Sequence, residues 1–293
     1  MASSNMKDIK RRIKSVSSTM QITKAMELVA SSKLRKAKEK AEKVKPFFET
    51  LYETMWEISY ENSTFDSIYV KNREVKNTLI VVIAGDRGLA GGFNTNVFKM
   101  AQERIKEVSQ KSSVVILPIG KKSVEYFEKR NFNIVSKYDN IAENITIYDA
   151  KEMSDKITTL FFKEKIDRVE IVFTTYVSPL VQEAKYMEVL PIANKSDKKL
   201  HKSQTTYEPD PKMLFDILVP KYIEGILYGS VIDSYASEQA SRRIAMENAS
   251  DNAEEMIENL SLLYNRARQS SITQEITEIV SGAEAQNWYK CYY

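Results

Sequence analysis

The sequence predicts an α/β protein in which the two ends of the chain form a long antiparallel coiled coil around a small, mainly parallel α/β domain. Apolar residues alternate in steps of three and four over long stretches at both ends, which is the pattern of a coiled-coil seam. Between these stretches, continuous apolar runs alternate with helical ones, which is typical of a sheet covered by helices. We therefore expect the α/β domain to be an insertion between two paired helices.

The first predicted element is a coiled-coil helix over residues 1–60. Its seam runs through Ile9, Ile13, Val16, Met20, Thr23, Glu27, Ala30, Leu34, Ala37, Ala41, Val44, Phe48, Leu51, Met55 and Ile58. Only Thr23 and Glu27 are polar in this register. Pro46 interrupts the stretch and permits a kink. The regular spacing still favours one long helix that pairs along its length.

The second element is an α/β domain over residues 76–192. Buried strands are predicted at 78–84, 113–119 and 168–176, with a weak strand at 133–136 and an edge strand at 183–190. Helices are predicted from the loop at 85–94 to about 111, and at 123–130 and 148–165. This order is that of a small, mainly parallel, Rossmann-like sheet with helices on its faces.

The C-terminal region begins with a polar stretch over residues 193–208, which is predicted to be an exposed loop. A helix over 209–286 follows, with Asp210 as its N-cap and a break near Pro220. Residues 287–293 form a short aromatic tail. The long helix is expected to pair with the N-terminal helix.

The predicted seam of the C-terminal helix fades toward its end. It runs through Met246, Ala249, Ala253, Met256, Leu260, Leu263 and Ala267. The same register then offers Ser270, Gln274 and Thr277. We expect the helix to pack on its partner as far as Ala267, and residues 269–283 to continue alone toward another surface.

Composition and charge exclude several classes of protein. One cysteine and one histidine rule out a disulfide framework and a Cys/His metal site, and no run of 18 apolar residues is present. These features fit a reduced, cytoplasmic setting. Residues 1–45 carry 13 Lys/Arg against 4 Asp/Glu. Such a helix can follow nucleic acid, an acidic membrane or an acidic protein partner, or it can be a solvated face.

The loop GDRGLAGGFN at residues 85–94 is the feature closest to a ligand-binding motif. Its glycines would let backbone amides approach a phosphate at a helix N-terminus. The spacing matches neither G-x-G-x-x-G nor G-x-x-x-x-G-K-[ST]. A tight strand-to-helix crossover or a contact with a partner explains the loop without a ligand, and we favour that interpretation over nucleotide binding. His201 lies in a lysine-rich loop, where a catalytic role is not expected. The sequence predicts no catalytic residue, cofactor or metal.

Five blocks of sequence resemble the γ subunit of F-type ATP synthase of the bacterial type. They are IKRRIKSVSSTMQITKAMELVASSKLRKA (9–37), DRGLAGGFN (86–94), YEPDP (207–211), ASEQASRRIAMENASDNA (236–253) and YNRARQSSITQEITEIVSGA (264–283). The resemblance implies the central rotor shaft, a non-catalytic subunit. In that family it couples ion flow through the c-ring, of protons or sodium, to the conformational cycling of catalytic β subunits for ATP synthesis or hydrolysis.

The resemblance also implies partners and contact residues. The partners are the α and β subunits of the catalytic ring, the ε subunit and the c-ring, with no nucleic acid. Membrane association arises only through the complex, as a peripheral subunit at the cytoplasmic face of the bacterial cell membrane. The expected rotor–stator contacts are Lys24, Met26, Lys33, Arg242, Arg266, Gln269 and Thr273. Tyr207 and Glu208 match the segment near the c-ring.

Two other functions remain open from the residues alone. A basic coiled coil that binds nucleic acid would need aromatic residues on its basic face, and residues 33–45 contain none. A nucleotide-hydrolysing enzyme would need the loop at 85–94 as its phosphate site.

Overall fold

The computed structural model describes residues 2–61, 67–70, 73–192, 208 and 210–291. Its helices are α1 (Ala2–Glu61), α2 (Phe93–Val108), α3 (Lys121–Glu128), α4 (Ile147–Phe162) and α5 (Pro211–Cys291), and its strands are β1 (Asn77–Ile83), β2 (Ser113–Ile119), β3 (Arg168–Tyr176) and β4 (Gln182–Leu190). The chain divides into two compact units. The helical unit comprises Met1–Val29 with Ala245–Tyr293, and the α/β unit comprises Ala30–Ile244.

The sheet of the α/β unit has the strand order β2-β1-β3-β4. Strand β1 pairs in parallel with β2 and with β3, whereas β4 pairs antiparallel with β3 at the edge. The predicted mainly parallel sheet and its edge strand are therefore confirmed. The predicted strand at 133–136 forms only isolated bridges, such as the one between Ile116 and Ile134. Its apolar run is too short to extend the sheet.

Helices cover both faces of this sheet. Alternate residues of β1 divide between two apolar clusters because successive side chains of a strand point to opposite faces. On one side, Ile80 and Val82 pack with residues of α2 and α3. On the other, Leu79, Val81 and Ile83 belong to a cluster that includes residues of α4, α1 and α5. The sheet is thus held on one face by the parts of the long helices that lie in the α/β unit.

The two long helices are antiparallel in the α/β unit. The ring of Phe48 lies against Gly225, and the rings of Tyr52 and Tyr222 are 5.8 Å apart, so residue numbers on α5 fall there as those on α1 rise. In the helical unit the two helices are in contact, and the side chains of Thr23 and Ser250 share a hydrogen bond of 2.7 Å. Thr23, which is polar in the predicted seam, is satisfied by this bond.

Both long helices contain a proline without ending there. Pro46 lies inside α1, and Pro220 lies inside α5. The helix break predicted near Pro220 is wrong. The ring of Pro220 lacks the N–H that would otherwise donate to the carbonyl of Asp216, one turn earlier. The carbonyl of Pro220 itself accepts a hydrogen bond of 2.7 Å from Ser154 of α4. The predicted N-cap is confirmed, because Asp210 accepts from the amides of Lys212 and Met213.

The observed seam of α5 in the helical unit differs from the predicted one beyond Ala253, whereas Ala249 is half-buried as predicted. From Met246 on, the residues turned away from solvent are Met246, Ala249, Ser250, Ala253, Ile257, Leu260, Ser261, Tyr264, Ala267 and Ser271. Met256 and Leu263, predicted to be in the seam, are 45% and 50% exposed. The hydroxyl-bearing Ser250 takes a seam position because Thr23 provides its partner. The sequence predicts that packing ends at Ala267, but Ser271 is 7% exposed, so the buried face continues one turn further. From 272 to 283 every residue is exposed, as expected for the end of the helix.

Candidate functional site

The strand ends of the α/β unit form the position at which open α/β sheets usually bind ligands. Strand β1 has β2 on one side and β3 on the other, so the chain passes from β1 to one neighbour and then crosses to the opposite side of the sheet. Ligands bind at such a switch point, outside the carboxyl ends of the strands. The carboxyl end of β1 leads directly into the loop at 85–92. This loop and the end of β3 are therefore the first place to look for a site.

In this protein α5 occupies that position. A Cβ atom placed on Gly85 would lie 2.8 Å from the carboxyl carbon of Glu238, so the backbone and the carboxylate are in direct contact. The hydroxyl of Ser234 accepts a hydrogen bond of 3.1 Å from the amide of Thr174, near the end of β3. The amide of Tyr176 donates to Asp233 at 3.0 Å. A nucleotide phosphate at Gly85 would collide with this helix.

Arg242 connects α5 to the glycine-rich loop. Its guanidinium donates to the backbone carbonyl of Gly88 at 3.2 Å and also to the carboxylate of Glu238, one helical turn away. Arg242 is 7% exposed and Glu238 is 3% exposed. Burial raises the pKa of the Glu238 carboxyl, and the nearby Arg242 charge opposes that rise. The pair is thus an internal contact that fastens the loop to the helix.

Further hydrogen bonds hold the base of the loop. The carboxylate of Asp86 accepts from the amides of Lys121 and Asn140 at 2.8 and 2.9 Å, and the side-chain carbonyl of Asn94 accepts from the amide of Gly85 at 2.9 Å. Leu89 at the tip has a φ of 60° and is 67% exposed. Left-handed backbone at a non-glycine residue is uncommon and often marks a functional position. The loop therefore presents an exposed apolar side chain from a well-anchored base.

Potential metal-ligating side chains are dispersed in the described part of the chain. No group of three or more His, Cys, Asp or Glu side chains there could hold a metal ion. His201 lies outside the described residues. An open cavity of about 1240 Å³ lies between α1, β4 and α5. Its ionisable side chains include Lys45, Glu49 and Asp233, and Lys45 forms an exposed ion pair of 3.6 Å with Glu49.

A second candidate surface covers the helical unit, where the two helices carry opposite charge. On α1 the exposed cations are Lys7, Lys10, Arg11, Arg12, Lys14 and Lys24. On α5 the exposed anions of this unit are Glu247, Asp251, Glu254, Glu255, Glu258, Glu275 and Glu278, and they outnumber its exposed cations Arg266 and Arg268. Large apolar side chains that remain exposed are Ile22, Leu28, Val29, Met256, Leu262, Leu263, Ile272, Ile276, Ile279 and Val280. A surface with so much exposed apolar area is typical of a protein-binding surface.

The structure separates the predicted contact residues into two groups. Lys24, Arg266, Gln269 and Thr273 are exposed in the helical unit and Met26 is half-buried there. In the α/β unit Arg242 is buried, and Lys33 forms an ion pair of 2.6 Å with Glu143.

The predicted c-ring residues fall in a short stretch before α5. Glu208 is exposed, and Tyr207 lies outside the described residues.

Sequence reasoning missed Glu238. The signal for it was the i, i+4 spacing of an acid and an arginine, Glu238 and Arg242, inside an otherwise apolar and small-residue helix face. No helix of the described ranges has the length and apolar character needed to cross a lipid bilayer.

Comparison with known proteins gives a consistent result. The sequence profile of the family described as ATP synthase matches residues 5–286. The ATP synthase gamma chain of Ruminococcus albus is 53% identical, over 97% of this chain and 99% of its own length. The sodium ion specific ATP synthase gamma chain of Acetobacterium woodii is 43% identical, over 97% and 99%.

Solved structures agree with the fold. In the mitochondrial ATP synthase of Tetrahymena thermophila, a chain of the central stalk and c-ring structure aligns with a TM-score of 0.61 at 25% identity, covering 78% of this chain and 99% of that one. A chain of the Euglena gracilis mitochondrial ATP synthase aligns with a TM-score of 0.68, covering 98% of this chain and 96% of that one. At 16% identity, the second likeness concerns the fold alone.

Proposed function

The chain belongs to the ATP synthase gamma chain family, and on that premise we propose that it is the central rotor shaft of an F-type ATP synthase. In this proposal ion flow through the c-ring turns the shaft, and the turning shaft drives the catalytic β subunits through their conformational cycle. The chain itself is non-catalytic. It belongs to a membrane complex that makes or hydrolyses ATP, and it associates with the cytoplasmic face of the membrane only through that complex.

The asymmetry of the helical unit is the observation that best supports this proposal. Exposed cations on α1 and exposed anions on α5 give the unit sides of different charge. When such a unit turns inside a ring, each fixed subunit meets a different charge and a different apolar pattern. A ligand-like contact that differs between states shifts the population of those states. Rotation would therefore exchange the nucleotide affinities of the β subunits in sequence.

We assign the contacts with the α/β ring to the residues named from the sequence. Lys24, Met26, Arg266, Gln269 and Thr273 lie in the helical unit and would touch the ring directly. Thr273 has an exposed side chain whose hydroxyl donates to the carbonyl of Gln269 at 2.9 Å, so its methyl group is free to pack. Lys33 and Arg242 are already paired inside the α/β unit and would act through the surfaces that they support.

The α/β unit is proposed to carry the remaining partners. Its exposed Glu208, with Tyr207 before it, would lie next to the c-ring, and the ε subunit would bind the same unit. The Acetobacterium relative is described as sodium ion specific. We assign the choice of coupling ion, proton or sodium, to the c-ring.

Native purification tests the proposal. An affinity-tagged copy of this chain, expressed in the native organism and extracted with a mild detergent, should co-purify with the α, β, ε and c subunits. The isolated chain should neither hydrolyse ATP nor bind it tightly, because α5 fills the strand-end position. Recovery of the chain without those subunits, or steady ATP turnover by the chain alone, would overturn the proposal. The purification control is a tagged α-helical protein of similar net charge that does not associate with membranes. Subunits recovered with that control would be binding nonspecifically.

A further inference from the structure

Glu238 of α5 lies against the loop that follows the carboxyl end of the parallel strand β1. Open α/β sheets bind anionic ligands there, with a glycine that lets backbone and ligand approach closely. In this chain the glycine is Gly85, and the group in contact with it is the carboxylate of Glu238. The side chain is 3% exposed. A carboxylate of the protein thus stands where a ligand anion stands in other sheets of this kind.

Arg242 completes the arrangement. One nitrogen of its guanidinium donates both to Glu238 and to the carbonyl of Gly88. Asp86 and Arg87 are the other charged groups close to Glu238, and both belong to the same loop. Removing Glu238 would leave Arg242 buried without its anion, which is costly. The carboxylate therefore orients the guanidinium, and the guanidinium holds the loop.

The rest of α5 is fixed to the strand ends by side chains on the same face. The hydroxyls of Ser234 and Ser237 contact the backbone of Thr174, and the hydroxyl of Ser241 donates to Gln182 at 3.0 Å. These contacts hold the helix whether or not Arg242 is present. The loop tip at 87–89, in contrast, is linked to α5 by Arg242 at Gly88. The position of Leu89 should depend on that bond.

We propose that Glu238 is an internal replacement for a ligand anion and that Glu238 and Arg242 are positioning residues, which together set the position of the loop tip Arg87–Leu89. Arg242 then influences a partner through the loop that it holds. This inference does not require the rotor function, because it concerns contacts within one unit of the chain. It adds to the proposed function, because the exposed loop tip would be a surface that a partner subunit contacts.

Hydrogen exchange on the full-length chain measures the tie directly. In Arg242→Met and in Glu238→Ala, amides within residues 84–96 should exchange about ten- to a hundredfold faster, because a hydrogen bond to a charged group is lost. Exchange in β3, residues 168–176, should change far less, which separates loop release from general destabilisation. Glu238→Gln keeps a hydrogen-bond acceptor for Arg242 but removes the negative charge, so its exchange at 84–96 should fall between that of wild type and that of Glu238→Ala. Glu49→Gln, in the exposed i, i+4 pair with Lys45, is the matched control.

A chemical rescue tests the anion. Added formate should slow exchange at 84–96 again in Glu238→Ala, since a small carboxylate can enter the space beside Gly85. It should have no effect in Arg242→Met, where the cation is missing. Exchange that is unchanged in both variants would overturn the positioning role, and failure of formate to rescue Glu238→Ala would overturn the anion replacement. If exchange behaves as expected but the α, β and c subunits fail to co-purify, the proposed function is wrong and this inference stands.

Discussion

Gly120 is the residue of the α/β unit where a side chain is least tolerable. It has a φ of 92°, and a Cβ atom there would lie 2.0 Å from the carbonyl oxygen of Ala84. Neither the strained backbone nor the backbone clash can be relieved locally. Gly120→Ala should therefore lower the free energy of unfolding by about 3 kcal/mol or more. Gly88→Ala, where no atom lies within 4 Å, should cost less than about 1 kcal/mol. Equal costs in denaturant titrations would contradict the geometry.

Asp233 gives the molecule a specific pH dependence. Burial raises the pKa of its carboxyl, although the amide of Tyr176 and the charge of Lys185 oppose the rise. The folded state then binds the proton more tightly than the unfolded state, so ionisation of Asp233 costs stability at neutral pH. That cost disappears as the pH falls through the raised folded pKa toward the ordinary value of about 4.

Asp233→Asn should consequently raise the thermal midpoint at pH 7.5 while keeping an acceptor for Tyr176. The difference from wild type should shrink to zero as the pH approaches about 4. Melting curves at a series of pH values provide the measurement. Glu49→Gln, at an exposed site, should show no such trend. A variant that loses stability at pH 7.5 and recovers it in acid would reverse the predicted sign.

Met26 tests the contact proposed for α1. It is half-buried beside the exposed Lys24. Met26→Lys would add a second cation to the proposed contact with the ring, and we expect ion pumping per ATP hydrolysed to fall severalfold while the complex still assembles. Met26→Leu keeps the apolar volume and should pump normally. If membrane vesicles with Met26→Lys pump as well as wild type, Met26 does not form the proposed contact with the ring.

At the scale of elements, the seam of α5 is the clearest test. Leu260 is 8% exposed and Met256 is 45% exposed, although the sequence spacing assigns both to the seam. Leu260→Ala should cost about 2–4 kcal/mol of unfolding free energy, whereas Met256→Ala should cost less than about 1 kcal/mol. Denaturant titration followed by helical circular dichroism gives both values. A larger loss of unfolding free energy in Met256→Ala than in Leu260→Ala would show that Met256 lies in the seam, as the sequence spacing predicts.

The elements also show what the sequence can predict and what it cannot. The predicted positions of α1 from Ile9 to Ile58 are all buried or half-buried, because bulky apolar residues define its face clearly. In α5, alanines and serines are common to several faces, so spacing alone could not identify Ser250. Its place depends on Thr23, a residue 227 positions away. Contacts between distant residues are not encoded in local periodicity.

The site was less predictable than the fold for the same reason. The loop at 85–94 was recognised by its glycines, and its lack of a nucleotide motif agrees with the crevice being filled. The filling group, Glu238, comes from another element and carries no local motif. Arg242 was named as an outward contact, yet its guanidinium is directed to Gly88 inside the α/β unit. The contacts proposed in the helical unit stay predictions.

At the scale of the whole molecule, the central claim is that this chain turns inside a ring of α and β subunits. Direct observation of rotation tests it. The α and β subunits would be fixed to a surface, and a bead would be attached at Lys129→Cys, an exposed residue of the α/β unit, with the single native cysteine removed as Cys291→Ser. The account predicts stepwise rotation in one direction that starts on addition of ATP and stops when ATP is removed. Continuous ATP hydrolysis by the ring with a stationary bead would contradict it.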